Sequence, residues 1–328
     1  MNIISEKSKL VNRSELAKKW TNYKEMSVKM ADRVYYDIGD ESRGDRMAVC
    51  GRNIVYKYCR DCGNVEIVHT RLCRDRLCPI CAWRLALKRY AEMTQVVHYI
   101  YEKYNISAYN AYFLTFTVPN CPTNMLTAVL SHMSKVWTTI TKRRYFGKHI
   151  IGWAKHVEIT FNTTTRTMHP HYHLIVIADE EPNELIEMWL QYVTTATSSA
   201  QDSRCIVPMD EPNESIVGAI LETFKYSTKM STLLDDLTAR ELYDYDRAVC
   251  GKRMTAYGGI IKQIRKELCL TDEENLGESE GTEDTSRTLC AKCLSPQVEL
   301  AIAQWSYSKH DYIVIEREVM SANGESIE

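Results

Sequence analysis

The order of segments in this sequence predicts an α+β fold: an antiparallel sheet with flanking helices, plus a small cysteine-rich module. Three observations predict it. GWAKHVEITFN (152–162) and HYHLIVIA (171–178) are rich in β-formers and lie on either side of a polar TTTRT turn, the signature of a hairpin. Stretches with helical spacing of apolar residues stand before and after that hairpin. Five cysteines crowd between Cys59 and Cys81.

Taken in order, residues 1–49 are polar and charged and predict a partly helical segment. Residues 50–104 hold the cysteines and a basic helix. Residues 105–268 form the main domain. In it AYFLTFTVPN (111–120) is a strand stopped by Pro119-Asn120, and the stretch 125–144 is a helix. The hairpin follows. Helices are expected over 183–197, 214–234 and 258–268. Residues 269–290 are an acidic linker, and in the C-terminal segment 291–328 the stretch 293–318 is expected to return as a helix and a strand. No internal repeat is evident.

At 328 residues and 45% hydrophobic content the chain can build a sizeable core. No apolar run approaches the roughly 18 residues that span a membrane, and the opening MNIISEKSKL has no apolar signal core. A cytoplasmic protein with no membrane partner is expected. The net charge of −2 averages unlike parts: residues 271–286 carry seven acids and no base, and without them the formal charge is +5. Residues 52–90 hold nine Lys/Arg against three Asp/Glu, and Lys142, Arg143, Arg144 and Lys148 form a second basic cluster. This distribution suits a polyanion-binding body with a solvated linker.

Twelve cysteines in a cytosolic chain argue against disulfides. Cys59-x2-Cys62 and Cys78-x2-Cys81 give C-x2-C-x15-C-x2-C, a zinc-binding spacing in which two tight turns each present two thiolates. A closed four-thiolate Zn²⁺ site is structural rather than catalytic. Cys73 and Cys50 are alternates for members of the first pair. Cys290-x2-Cys293 is a further C-x2-C with no evident partner.

The stretch MHPHYHLIVIA (168–178) places His169, His171 and His173 at alternate positions. On a strand, His171 and His173 project from one face. His169 joins them if the strand continues back through Pro170. One such histidine would be read as a hydrogen-bonded packing residue; two in register favour a metal site. Glu158, Thr160 and Asn162 share one face of the preceding strand. If that is the histidine face, Glu158 supplies a carboxylate to the same ion, and the set suits catalytic Mn²⁺ or Mg²⁺.

In LETFKYSTKMS (221–231), Glu222 and Tyr226 are i,i+4 neighbours, and Lys229 lies three further on. Lys225 and Lys229 can hold a phosphate between them. A phenol titrating near pH 10 is a poor nucleophile until its phenolate is stabilised, which a nearby ion and a lysine can do. Any one of twenty tyrosines would otherwise be read as packing.

Together LCRDRLCPICAWRLALKRY, FLTFTVPN, HVEITFN followed by HPHYHLIV, ETFKYSTK and GKRMTAYGGIIK resemble the rolling-circle plasmid replication initiators of the HUH endonuclease superfamily. The resemblance covers about residues 50–265. It implies an HUH endonuclease-type antiparallel sheet and a site-specific DNA nickase and strand transferase. By position, His171 and His173 match the metal ligands, with His169 an extra histidine and Glu158 a looser third ligand. Tyr226 matches the nucleophile, Glu222 the acid that activates water at termination, and Lys229 stands beside them. Lys225, Arg84, Lys88 and Arg89 are expected to contact DNA. The resemblance also implies a plasmid double-strand origin with an exposed nick site as substrate and the host helicase and replication machinery as partners, and it leaves room for a homodimer. A related transposase or mobilisation relaxase, or a non-catalytic zinc-dependent DNA-binding regulator, are the alternatives. The regulator explains neither the histidine strand nor the tyrosine helix. The cysteines at 59–62 and the acidic linker depart from the family pattern.

Overall fold

The structure, a computed structural model, describes residues 15–104, 108–208, 214–224, 229–270, 289–290, 292–320 and 326–327. In chain order its elements are α1 (Glu15–Arg33), α2 (Glu41–Ala48), β1 (Asn53–Cys59), β2 (Val65–Thr70), α3 (Pro79–Lys103) and β3 (Asn110–Thr117). Then come α4 (Leu126–Ile140), α5 (Arg144–His149), β4 (Ile150–Asn162), β5 (Thr167–Ala178), α6 (Asn183–Tyr192) and β6 (Asp202–Pro208). The last are α7 (Glu214–Phe224), α8 (Ala239–Val249), β7 (Thr255–Gly258), α9 (Gly259–Glu267), β8 (Val298–Ser306), β9 (Asp311–Met320) and β10 (Ser326–Ile327). Two compact units result: Met1–Arg84 with Asn275–Glu328, and Leu85–Glu274.

The first unit is built on a five-stranded antiparallel sheet in the order β10-β9-β8-β1-β2. Strands from residues 53–70 and from residues 298–327 therefore share one sheet. Trp20 of α1 donates its indole N–H to the Tyr312 hydroxyl of β9 at 2.8 Å, and that hydroxyl in turn donates to the Gly51 carbonyl. Both rings are buried. The helix expected within 293–318 is replaced by the antiparallel pair β8–β9. VELAIAQWS alternates in burial along β8, and its alanines fit a close-packed sheet as readily as a helix.

The second unit is a three-layer arrangement around a sheet in the order β6-β3-β5-β4-β7, every pair antiparallel. The α+β class with an antiparallel sheet is thus borne out. On one face Val96 and Ile100 of α3, Ile220 and Phe224 of α7 and Ile264 of α9 pack over Phe113, Ala154, Ile175 and Ile177. On the other, Trp137 of α4 meets Trp153 and Tyr172, and Trp189 of α6 stacks on Phe116 at 5.1 Å. Burying this many large rings and aliphatic chains supplies the main stabilisation of the unit. Within it Arg265 is 2% exposed and pairs with Glu92 at 2.9 Å, tying α9 to α3.

The β4–β5 hairpin closes as expected. Asn162 Oδ1 accepts from the amides of Thr164 and Thr165, both at 3.0 Å, a side-chain-stabilised turn. Strand β5 runs back through Pro170 to Thr167. Met168 exchanges both backbone hydrogen bonds with Cys121, so the nitrogen of Pro170, two residues on, faces the same side. There β3 has already ended at Thr117, and no ladder donor is lost. Helix α6 stops at Tyr192 rather than 197, where Val193 leaves helical geometry and a Thr-rich stretch begins.

The junction of β7 and α9 requires glycine. Gly259 has φ +56°, and a Cβ there would lie 2.0 Å from the Ile151 carbonyl oxygen. Gly259→Ala should lower stability by about 2–4 kcal/mol, read by thermal or urea unfolding. Gly147→Ala, where a Cβ meets nothing within 4 Å, should stay within about 0.5 kcal/mol of wild type.

Candidate metal centres

The register of the hairpin decides which side chains meet. Glu158 pairs with His171 and His156 with His173 across β4–β5, so all four share a face. That face is the one covered by α7. Glu158 Oε2 lies 2.9 Å from His171 Nε2 and 2.7 Å from His173 Nε2, and all three residues are buried. The far sides of the rings are also held. His171 Nδ1 is 3.3 Å from the His169 carbonyl oxygen, and His173 Nδ1 is 3.4 Å from Thr115 Oγ1. Donation from Nδ1 at each point would free the Nε2 lone pairs for an ion shared with Glu158, the arrangement that metal-ligating histidines use.

These donors fit a divalent ion. Cis ligands at about 2.1 Å in an octahedron stand about 3.0 Å apart, close to the two nitrogen–oxygen separations here. Two imidazoles and one carboxylate suit Mn²⁺ better than an all-oxygen site would, and Mg²⁺ is the harder alternative. His169 shares the face, its ring centroid 5.4 Å from that of His171, but it is not within the cluster of ligand atoms. Burial, then the neighbouring His171, holds its imidazole below the usual histidine range, so it favours the neutral form.

Sequence reasoning missed His156. It is fully buried, and its Nδ1 lies 2.8 Å from Thr255 Oγ1 of β7. Burial first, then Arg89 and His173, push its pKa well below the usual value. A neutral His156 adds no charge behind the cluster. The signal was available: it stands two residues before Glu158, on the same strand face. Arg89 is half-buried and acts on His156 through its charge, nearer this centre than a purely surface DNA contact would be. Lys88 is 3.9 Å from Glu92, and Arg84 is half-buried in the first unit.

Glu222, in the last turn of α7, places Oε1 3.9 Å from His173 Nε2 and remains 43% exposed. It is therefore beside the cluster and open to solvent. Tyr226 and Lys225 lie outside the described residues. Lys229 is exposed and stands outside α7; its carbonyl accepts from the Leu233 amide at 3.3 Å.

The cysteines of the first unit form two clusters, and neither is the set Cys59, Cys62, Cys78 and Cys81. Cys78 and Cys81, at the start of α3, meet Cys50 and Cys73. Three sulfur–sulfur distances in this group are 3.6 Å: Cys50–Cys81, Cys73–Cys81 and Cys50–Cys78. A tetrahedral zinc with bonds of about 2.3 Å has sulfur–sulfur edges of about 3.8 Å. Backbone amides of Cys73 and Arg74 point at the sulfurs of Cys50 and Cys81, each at 3.3 Å. Lys24 is fully buried beside the group, its ammonium donating at 2.7 Å to the carbonyls of Ala48 and Cys50. Burial lowers its pKa to about 8, and the neighbouring cysteines work against that shift. An ammonium here would balance the excess negative charge of four thiolates around a divalent ion. Cys59 and Cys62 are drawn instead to Cys290 and Cys293. Spacing alone could not separate these pairings, because β1 and β8 bring residues more than two hundred positions apart into register.

Among the described residues no helix is long and apolar enough to cross a membrane. No solved structure matches the chain. A "Protein rep" of Streptococcus pneumoniae serotype 2 (strain D39 / NCTC 7466) is 28% identical over 307 residues, spanning 90% of this chain and 91% of its own length. A "Protein rep" of Lentilactobacillus hilgardii is 24% identical over 325 residues, 93% of this chain and 97% of its own. A "Replication protein" of Staphylococcus aureus is 26% identical over 218 residues, 62% of this chain and 90% of its own. The Rep_1 family model, described as "Replication protein", matches residues 64–313, well over half of the chain. The chain therefore belongs to the Rep_1 family of replication proteins, which bears out its resemblance to the plasmid rolling-circle replication initiators.

Proposed function

We propose that this protein is a site-specific DNA nickase and strand transferase of the HUH endonuclease type that starts rolling-circle replication at a plasmid origin. The observation that carries the reading is the carboxylate of Glu158 set between the Nε2 atoms of His171 and His173, with Glu222 at the rim of the same cluster. His171, His173 and Glu158 would hold Mn²⁺ or Mg²⁺, which when bound withdraws charge from a phosphate oxygen.

The chain's own residues do the rest. Thr115 and the His169 carbonyl fix the two imidazoles. Tyr226 attacks the scissile phosphorus in line. Its oxygen–phosphorus bond forms as the bond to the 3′ oxygen breaks; the phenolic proton is given up, and the departing oxygen takes a proton to become the 3′-OH primer. Lys229 stabilises the phenolate. The 5′ phosphate stays on Tyr226, so the bond energy is kept for rejoining. Glu222, half-exposed, orients a water at the same phosphorus when DNA is finally released. Lys225, Arg84, Lys88 and Arg89 contact phosphates of the opened origin, and a host helicase extends the opening. The thiolates of Cys50, Cys73, Cys78 and Cys81 hold a structural zinc.

Nicking of supercoiled plasmid carrying the source origin tests this reading. Conversion to open circle should require Mn²⁺ or Mg²⁺, stop with EDTA and return on adding the ion back. Undiminished conversion in EDTA would overturn it.

A further inference from the structure

Cys59, Cys62, Cys290 and Cys293 gather in the first unit as a group distinct from Cys50, Cys73, Cys78 and Cys81. Cys59 Sγ is 3.6 Å from Cys293 Sγ, and Cys62 Sγ is 3.6 Å from Cys290 Sγ. These are far longer than the roughly 2.05 Å of a disulfide and close to the edges of a zinc–thiolate tetrahedron. All four sulfurs lie within 4.8 Å of one another.

The two halves are built alike. In one, the Gly63 amide donates to the Cys59 carbonyl at 2.9 Å, and Gly63 has φ +68°. In the other, the Leu294 amide donates to the Cys290 carbonyl at 2.9 Å, and Leu294 has φ +57°. Each C-x2-C is thus closed by a left-handed residue directly after its second cysteine. Glycine takes that conformation freely, whereas leucine is strained in it. The strain at Leu294 is retained in a turn whose geometry matches its partner's. Neighbouring bonds fix the same junction: Arg60 pairs with Glu299, and the Arg60 amide donates to the Gln297 carbonyl at 2.9 Å.

We infer that these four cysteines bind a second structural zinc, which clips the C-terminal hairpin β8–β9 to the β1–β2 hairpin. The clip sits where the β1–β8 ladder ends, at the pair Cys59 and Val298. Four thiolates close the coordination sphere, so the ion has no open position for chemistry. The role is architectural: it fastens β8, which follows the acidic stretch 271–286, to β1, which lies between Cys50 and Cys73 of the first cluster. This inference does not depend on the nickase reading.

Elemental analysis of the purified full chain carrying His171→Ala and His173→Ala, so that thiolate sites alone are counted, expressed with zinc and no chelating tag, is the test. Two zinc ions per chain are expected. Cys290→Ser/Cys293→Ser should retain one, as should Cys78→Ser/Cys81→Ser, and the first variant should become open to proteolysis within 298–320. Cobalt titration of the same metal-free His171→Ala/His173→Ala chain guards against cysteine variants that fail to fold: tetrahedral thiolate absorption should rise to an end point at two equivalents. One zinc in that chain, a cobalt end point at one equivalent, or iron in place of zinc would each overturn the assignment.

Discussion

Tyr226→Phe should abolish both nicking and the covalent protein–DNA adduct, with a rate loss on the order of 10⁴-fold or more. Phenylalanine keeps the ring and removes only the hydroxyl, so the loss reports the nucleophile. Binding to origin DNA should stay within about twofold, because one hydroxyl adds little to a phosphate-dominated interface. Glu222→Ala is the informative comparison. Glu222 stands 3.9 Å from His173 Nε2 and is partly open to water, a position for activating a second nucleophile rather than the first. The variant should nick and form the adduct at near wild-type rate, then fail to terminate and yield over-long replication products. Equal loss of the first nick in Glu222→Ala and Tyr226→Phe would remove this division of labour.

His171→Ala with His173→Ala should remove metal-dependent nicking while leaving DNA binding intact. Losing both imidazoles leaves Glu158 as the one remaining member of the cluster. Several kcal/mol of transition-state stabilisation should vanish, a rate loss on the order of 10³-fold. His169→Ala should be milder, since its ring lies outside the cluster and its contribution to His171 is a backbone carbonyl that alanine retains. The measurement is single-turnover nicking of an origin oligonucleotide across a Mn²⁺ titration. Wild-type rates in the double variant would show that the ion, if needed, binds elsewhere.

Much of this site was legible because it is local. A strand repeats every two residues, so His171, His173 and Glu158 could be placed on candidate faces from spacing, and a four-residue loop then fixed their register. His156 obeys the same rule and was missed because the reading of that face began at Glu158. The cysteines show the limit. Each C-x2-C is visible, but which pair meets which depends on β1 lying beside β8, a contact that no local pattern encodes. The residues of β8 likewise declare themselves only once a neighbouring strand is present. Tyr226 was found by its spacing from Glu222 together with the resemblance of ETFKYSTK to the family motif.

In the proposed reaction a tyrosine nucleophile works at the histidine–carboxylate cluster. Mass spectrometry of the trapped adduct tests it most directly: wild-type protein is reacted with a single-stranded origin oligonucleotide and Mn²⁺, digested with protease and nuclease, and the modified peptide sequenced. A nucleotide joined through its 5′ phosphate to Tyr226 is expected, and no adduct when His171 and His173 are both alanine. A nucleotide on any other residue, or a nicked product with no covalent peptide at all, would contradict it.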